Sequence, residues 1–272
     1  MPAPSVAHPA MPIDRSLGGM LARIARLHPE RCALRWLDPA WPTAAPIEIT
    51  FDQLATHTQA TAYHLRTAHG IRQGDRVAWL GLNHPAQMVL LFAVARLGAM
   101  LVPLNHRLAP AEWQAVLSDC SPRLLVHDTT LRDAAQALAQ ETDLPCIAAN
   151  AFPEQPTSTD PTTDQGTDGA WNSPALLVYT SGTTGLPKAA VHTQGNLLSN
   201  MAIAAQAQGM SERDTVLTVL PLFHVGGLCI QTLPALSRGA TVLLHARFDA
   251  GATLHALEHQ RPTLTLQVPA TL

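Results

Sequence analysis

The chain has 272 residues, 47% of them hydrophobic and 14% charged, with a formal net charge of -3. That is enough apolar material for a sizeable core, as one large domain or two sub-lobes, and it excludes a disordered chain. The weak negative balance offers no basic field for nucleic acid and no membrane-surface anchor, so small molecules are the expected partners.

Met1 to Pro12 carry no basic patch followed by an apolar run, so no signal peptide is expected. Ser16 is a good N-cap for a helix through Leu17, Met20, Leu21, Ile24 and Leu27, which Pro29 stops. Thr50 opens a second helix, with Gln53 completing a capping box, and Gly70 closes it. Then strand and helix alternate: Val77 to Leu82, helix Pro85 to Leu97, strand Ala99 to Leu104, helix Pro110 to Ser118, strand Arg123 to Val126, helix Leu131 to Gln140 and strand Cys146 to Ala149. The most apolar stretch, Met88 to Leu104, is broken by Arg96, Gly98 and Pro103 and reads as helix then strand, not as a transmembrane span.

From Pro153 to Ser173 the chain is rich in Pro, Thr, Asp, Gly and Gln, too polar to pack, which predicts an exposed connector over 151–174. Beyond it come strand Ala175 to Tyr179, helix Asn196 to Ala207, strand Thr215 to Leu222, helix Leu228 to Leu236, strand Ala240 to His245, helix Ala250 to Gln260 and strand Thr263 to Val268. Continuous apolar strands separated by helices predict an α/β fold of two stacked, doubly wound, mostly parallel sheet lobes, 13–150 and 175–272. Cysteines 32, 120, 146 and 229 show no C-x-x-C pairing and read as reduced, mostly buried thiols of a cytoplasmic protein.

The most informative stretch runs from Tyr179 to Lys188, Y-T-S-G-T-T-G-L-P-K, directly after an apolar strand. Gly182 and Gly185 let backbone N–H groups face an anion closely. Thr180, Ser181, Thr183 and Thr184 offer hydroxyls to phosphate oxygens, or a lone pair to a hard cation such as Mg²⁺. Lys188 adds a mobile positive charge. The Walker A pattern fails here, because counting from Gly182 puts Pro187 at its second glycine and Ala189 at its metal-binding hydroxyl; G-x-G-x-x-G is missing altogether. A Gly/Thr surface turn without ligand is the plainer reading, but lysine and proline in register make the tract more specific than that.

At these residues the chain resembles the adenylate-forming superfamily of acyl-CoA and aryl-CoA synthetases, luciferases and amino-acid adenylation domains. Its phosphate loop reads roughly [YF]-T-S-G-[ST]-T-G-x-P-K-G, and only Ala189 departs from it. Weaker matches stand in the expected order at Ile49 to Leu54, Leu97 to Asn105 and Leu220 to Gly227. The resemblance implies ATP and Mg²⁺ as cofactors, CoA as co-substrate and a carboxylic acid as substrate. Residues 180–185 would cradle the β and γ phosphates, Thr180 would hold the metal, and Lys188 would offset leaving-group charge. His224, which the matching histidine of acid-CoA ligases places in the acid pocket, would help position the acid; alone, it reads as a satisfied core residue behind a strand. Members are about twice this length, so an amino-terminal part, inactive in isolation, is expected.

Adenylation domains for amino acids carry an acidic residue after the position of Phe223, and His224-Val225 supplies none, which favours a non-amino acid. Fatty acids stand ahead of aryl acids in this reading, with the o-succinylbenzoate branch open because of Leu186 to His192. Leu228, Ile230 and Leu233 could form an apolar wall or core. An inactive nucleotide-binding fragment and a structural module that binds nothing are the other classes. His255 and His259 lie one turn apart on a helix, a metal-capable spacing that more often marks a solvated face.

Overall fold

The computed structural model describes residues 14–38, 44–155, 169–180 and 188–269. Helix α1 (Leu17–Leu27) starts where the Ser16 hydroxyl accepts from the Gly19 amide. Strands β1 (Cys32–Leu37) and β2 (Ile47–Thr50) follow, and α2 (Phe51–Ala68) opens with the expected capping box, Gln53 N–H to Thr50 Oγ1 at 3.2 Å and Thr50 N–H to Gln53 Oε1 at 2.9 Å.

The alternation continues through β3 (Arg76–Leu80), α3 (Pro85–Arg96), β4 (Met100–Pro103), α4 (Pro110–Cys120), β5 (Leu124–His127), α5 (Arg132–Thr142) and β6 (Cys146–Ala148). After it come β7 (Pro174–Thr180), β8 (Lys188–Thr193), α6 (Gln194–Ala207), β9 (Thr215–Thr218), a π-helical stretch Gly226–Thr232 running into α7 (Leu233–Ser237), β10 (Thr241–His245), α8 (Ala250–His259) and β11 (Leu264–Thr265).

Two sheets result. One has the order β11-β9-β10-β1-β2, parallel except for edge strand β2. The other has the order β6-β5-β3-β4-β7-β8, parallel except for edge strand β8. Each sheet takes strands from both sides of the 151–174 segment, so neither corresponds to a contiguous lobe 13–150 or 175–272. Most of that segment lies outside the described residues; at its end Gly169 is buried against Gln194, and Trp171 packs on Gly195 so closely that a Cβ there would come within 2.4 Å.

The strands are apolar on both faces because helices cover both. Val77, Trp79, Leu101, Val126, Leu176, Leu34, Val216 and Leu244 face a central layer of α1, α2, α3, α6 and α7. Alternate residues Ala78, Leu80, Val102 and Leu125 turn outward to α4 and α5, while Leu217 and Leu243 turn to Ala256 of α8. Helix α3 sits in the middle and is apolar all round; Met88, Leu90, Leu91 and Phe92 are fully buried, each worth roughly 1.5–3 kcal/mol of transfer free energy. Among the described residues no helix is long and apolar enough to cross a membrane.

Gln194, itself fully buried, ties the central layer together. Its Oε1 accepts from the Leu17 amide at 2.8 Å and its Nε2 donates to the Ala95 carbonyl at 3.0 Å. Three expectations need correction. β9 ends at Thr218 rather than Leu222, the predicted helix at Leu228 begins two residues earlier as a π-helix, and the last strand shrinks from 263–268 to Leu264–Thr265. The first has a clear cause: beyond Thr218 the backbone groups of 220 and 222 bond to side chains of the β3–α3 corner instead of a ladder.

Candidate nucleotide and acid site

Because β3, β4, β5 and β7 run parallel, their carboxyl ends open on one edge of their sheet, the position where open α/β sheets bind ligands. The carboxyl ends of β9 and β10 in the other sheet meet that edge at Asn83. Its Nδ2 donates to the carbonyls of Leu220 and His245, both at 3.0 Å, and its Oδ1 accepts from the Leu222 amide at 2.8 Å. Asn83 is 4% exposed, so all three bonds are made out of water. Gln87 adds a bond from Nε2 to the Leu222 carbonyl at 3.3 Å. The β3–α3 corner of one sheet and the turn after β9 of the other are thereby held together, and two loops carry the sequence-predicted site residues.

The first loop follows β7. Thr180 and Lys188 pair directly across the antiparallel β7–β8 ladder, with the Thr180 hydroxyl donating to the Lys188 carbonyl at 3.4 Å. Both side chains are exposed. Residues 181–187 between them, including Ser181, Gly182, Thr183, Thr184 and Gly185, lie outside the described residues. Lys188 to Thr193 form a strand that the sequence reading lacked, so the lysine is set at the base of its loop. One residue before Thr180, the Tyr179 hydroxyl donates to the Asp119 carboxylate of α4. Burial, then that carboxylate, pushes the Tyr179 phenol well above its ordinary range and keeps it a donor.

The second loop follows β9 and carries His224, which is exposed, not a satisfied core residue. The Gly226 amide donates to His224 Nδ1 at 3.2 Å, which leaves Nε2–H as the ring's donor. The chain that closes on Gly227 is its own: a Cβ there would stand 2.5 Å from the Leu220 carbonyl and 2.6 Å from that of Pro221. Only glycine lets the π-helix lie on this turn. Leu228 and Leu233 are core residues, and of the three apolar candidates only Ile230 is exposed.

Sequence reasoning missed the residues that shape this edge. His106, after β4, packs edge-on against Phe223 with ring centroids 5.2 Å apart. Burial, followed by the Arg107 charge, lowers its pKa and keeps it neutral. Asp128, after β5, accepts from the Leu82 amide at 2.7 Å and the Leu131 amide at 2.8 Å, and it abuts Gly81 so tightly that a Cβ would come within 2.9 Å. His84 caps α3 by accepting from the Ala86 amide at 3.1 Å, wedged between Trp36 and Trp79. Each is the second of two polar residues that follow an apolar run, Asn83-His84, Asn105-His106 and His127-Asp128, and only their arrival at a common edge marks them.

The AMP-binding enzyme family matches residues 21–272. The chain belongs to that family. It is 39% identical over 264 residues to the indoleacetate–CoA ligase of Aromatoleum aromaticum, covering 94% of this chain and 50% of the relative. It is 31% identical over 266 residues to the long-chain-fatty-acid–CoA ligase FadD13 of Mycobacterium tuberculosis, covering 95% and 50%. Among solved structures, the O-succinylbenzoate coenzyme A synthetase of Bacillus subtilis, in complex with ATP and magnesium ion, superposes with a TM-score of 0.73 at 28% identity, covering 90% of this chain and 62% of that one. The AMP-binding chain therefore spans about half the length of the curated relatives it matches. The two-sheet α/β architecture is that of adenylate-forming amino-terminal domains, as the sequence predicted.

Proposed function

We propose that this chain supplies the ATP- and acid-binding part of an AMP-forming acid–CoA ligase, acting on an aromatic carboxylic acid. The observation that carries the reading is the register of Thr180 with Lys188 beneath the T-S-G-T-T-G loop, on an edge that Asn83 joins to the His224 turn. Sequence reading set fatty acids first; the higher identity to an indoleacetate ligase, 39% against 31%, favours an aryl acid.

In this reading a carboxylate oxygen attacks the α-phosphorus of ATP, the bond to the departing pyrophosphate breaks, and an acyl-adenylate forms. Two anions must meet, so charge neutralisation dominates the barrier. The Lys188 ammonium offsets charge on the departing phosphates; the hydroxyls and amides of 180–185 hold them. His224 Nε2–H donates to the carboxylate and orients it. The residues present fit Mg²⁺, since the exposed Thr180 hydroxyl spends its proton on the Lys188 carbonyl and keeps its lone pairs for a hard cation. The metal, when bound, supplies further neutralisation of phosphate charge. A second step, in which the CoA thiol displaces AMP to give the thioester, completes the ligase reaction of the whole protein.

The test measures melting temperature with ATP and MgCl₂, and its further rise on adding indoleacetate, o-succinylbenzoate or a long-chain fatty acid to the ATP-loaded chain. Nucleotide-dependent stabilisation is expected. A well-folded chain whose melting temperature ignores ATP overturns the reading. Preference for the fatty acid replaces the aryl assignment by the second one, which the FadD13 likeness supports.

A further inference from the structure

Helix α8 ends with two histidines whose rings the fold brings together on the side away from the nucleotide loop's own sheet. His255 and His259 stand one turn apart on α8, their ring centroids 4.0 Å apart and their planes inclined at 71°. The two Nδ1 atoms lie 2.9 Å from each other. His259 Nδ1 also lies 3.0 Å from the His255 carbonyl, and the Glu258 carboxylate stands 4.0 Å from the same nitrogen. The His259 and Glu258 side chains are exposed, at 59% and 76%.

We propose that His255 and His259 form a binding site for a divalent d-block cation that prefers square-planar or tetragonal coordination, with Cu²⁺ first. Imidazole nitrogens bind such metals at about 2.0–2.1 Å, so two ligands at a right angle are ~2.9 Å apart, whereas tetrahedral ligands are ~3.4 Å apart. The observed spacing matches the right angle. The metal sits beside the nitrogen–nitrogen line after small rotations of the exposed His259 and the half-buried His255 side chains. The proton shared between the two Nδ1 atoms moves to Nε2 of the His259 ring, so both Nδ1 lone pairs reach the cation.

The position favours a cation on independent grounds, because 255–259 is the last turn of α8, where the helix dipole is negative. Glu258 is within reach as an oxygen donor or a nearby countercharge. Among the described residues no group of three His, Cys, Asp or Glu closes on one point, so water completes the coordination. The site does not depend on nucleotide binding.

The experiment titrates untagged chain with copper(II) sulfate, following affinity by calorimetry and nitrogen hyperfine structure by electron paramagnetic resonance. A two-nitrogen site is expected, weakened about tenfold or more by His255→Ala or His259→Ala. A His64→Ala/His69→Ala variant, which removes another histidine ring pair with centroids 5.1 Å apart, should leave it intact. Melting curves without metal, matching the parent, establish that the α8 variants are folded. Folded α8 variants that bind copper as the parent does overturn the proposal, as does loss of the signal only in the His64/His69 variant.

Discussion

Asn83 and Leu222 are joined by a buried hydrogen bond, amide to Oδ1 at 2.8 Å, across 139 positions of sequence and between two different sheets. The same side chain donates to the carbonyls of Leu220 and His245. Asn83→Ala removes one side chain and orphans three backbone groups, a cost of about 2–4 kcal/mol when each loses a buried partner. Urea unfolding should show that loss with little change in slope. Asn83→Asp replaces the donor by a second acceptor facing two carbonyls, and should cost at least as much; stability equal to the parent in both would remove the clamp from the account.

Lys188 is exposed, and its side chain makes no described contact that the fold needs. Lys188→Ala should leave the melting temperature without ligand unchanged while the stabilisation by ATP and MgCl₂ falls sharply, by an amount equivalent to about tenfold or more in affinity. Circular dichroism melts with and without nucleotide measure both. Equal nucleotide stabilisation in parent and variant would dismiss the assigned role.

His224→Ala addresses the acid rather than the nucleotide. Loss of its Nε2–H should weaken acid binding to the ATP-loaded chain about tenfold, with ATP affinity held. His224→Gln, which can present a donor at similar reach, should recover part of it. Calorimetry with the acid at saturating ATP reads the difference, and acid affinity indifferent to both substitutions rules His224 out.

Burial pushes His245 down to about 4, with Asp249 acting in the opposite sense, and burial also lowers His84 and His106. A histidine depressed in the folded state is protonated first in the unfolded chain, whose value is near 6.5. Stability from these groups is complete above about pH 6.5 and drains away as pH falls toward 4, at most about 3 kcal/mol for His245. Unfolding measured from pH 7.5 to 4.5 should decline in the parent and decline less in His245→Gln; identical slopes would contradict the assignment.

Gly227 offers a test of the turn that carries His224. Gly227→Ala puts a methyl group 2.5 Å from the Leu220 carbonyl, a backbone atom that Asn83 also holds, so relief requires movement of the turn. Destabilisation of about 1–3 kcal/mol is expected, measurable by chemical denaturation, and a neutral substitution would show that the turn yields freely.

Local chemistry made much of this fold readable. The Thr50–Gln53 box, the Ser16 cap and the alternation from β3 to β6 are written in neighbouring residues, and the structure keeps them. β1 escaped notice because Arg35 interrupts its apolar run, and β8 because Lys188 to Thr193 looks like the tail of a loop until β7 is there to pair with it. β9 was read four residues too long: Val219 to Leu222 are as apolar as strand residues, but Asn83 and Gln87 capture their backbone groups. For the site, Thr180, Lys188 and His224 could be named from motif spacing. Asn83, His106 and Asp128 could not, since each acts through a partner distant in sequence.

The first sheet has a consequence for how the molecule is made. β1 leaves the ribosome early, yet its parallel neighbour β10 begins at Thr241, and the strand beyond that, β9, at Thr215. Until those strands emerge Leu34 and Trp36 have only the β2 hairpin on one side and an open edge on the other. Nascent chains of this length class are prone to mispair at such edges, which makes the interval before residue 245 emerges the window in which holdase protection of the growing polypeptide matters most.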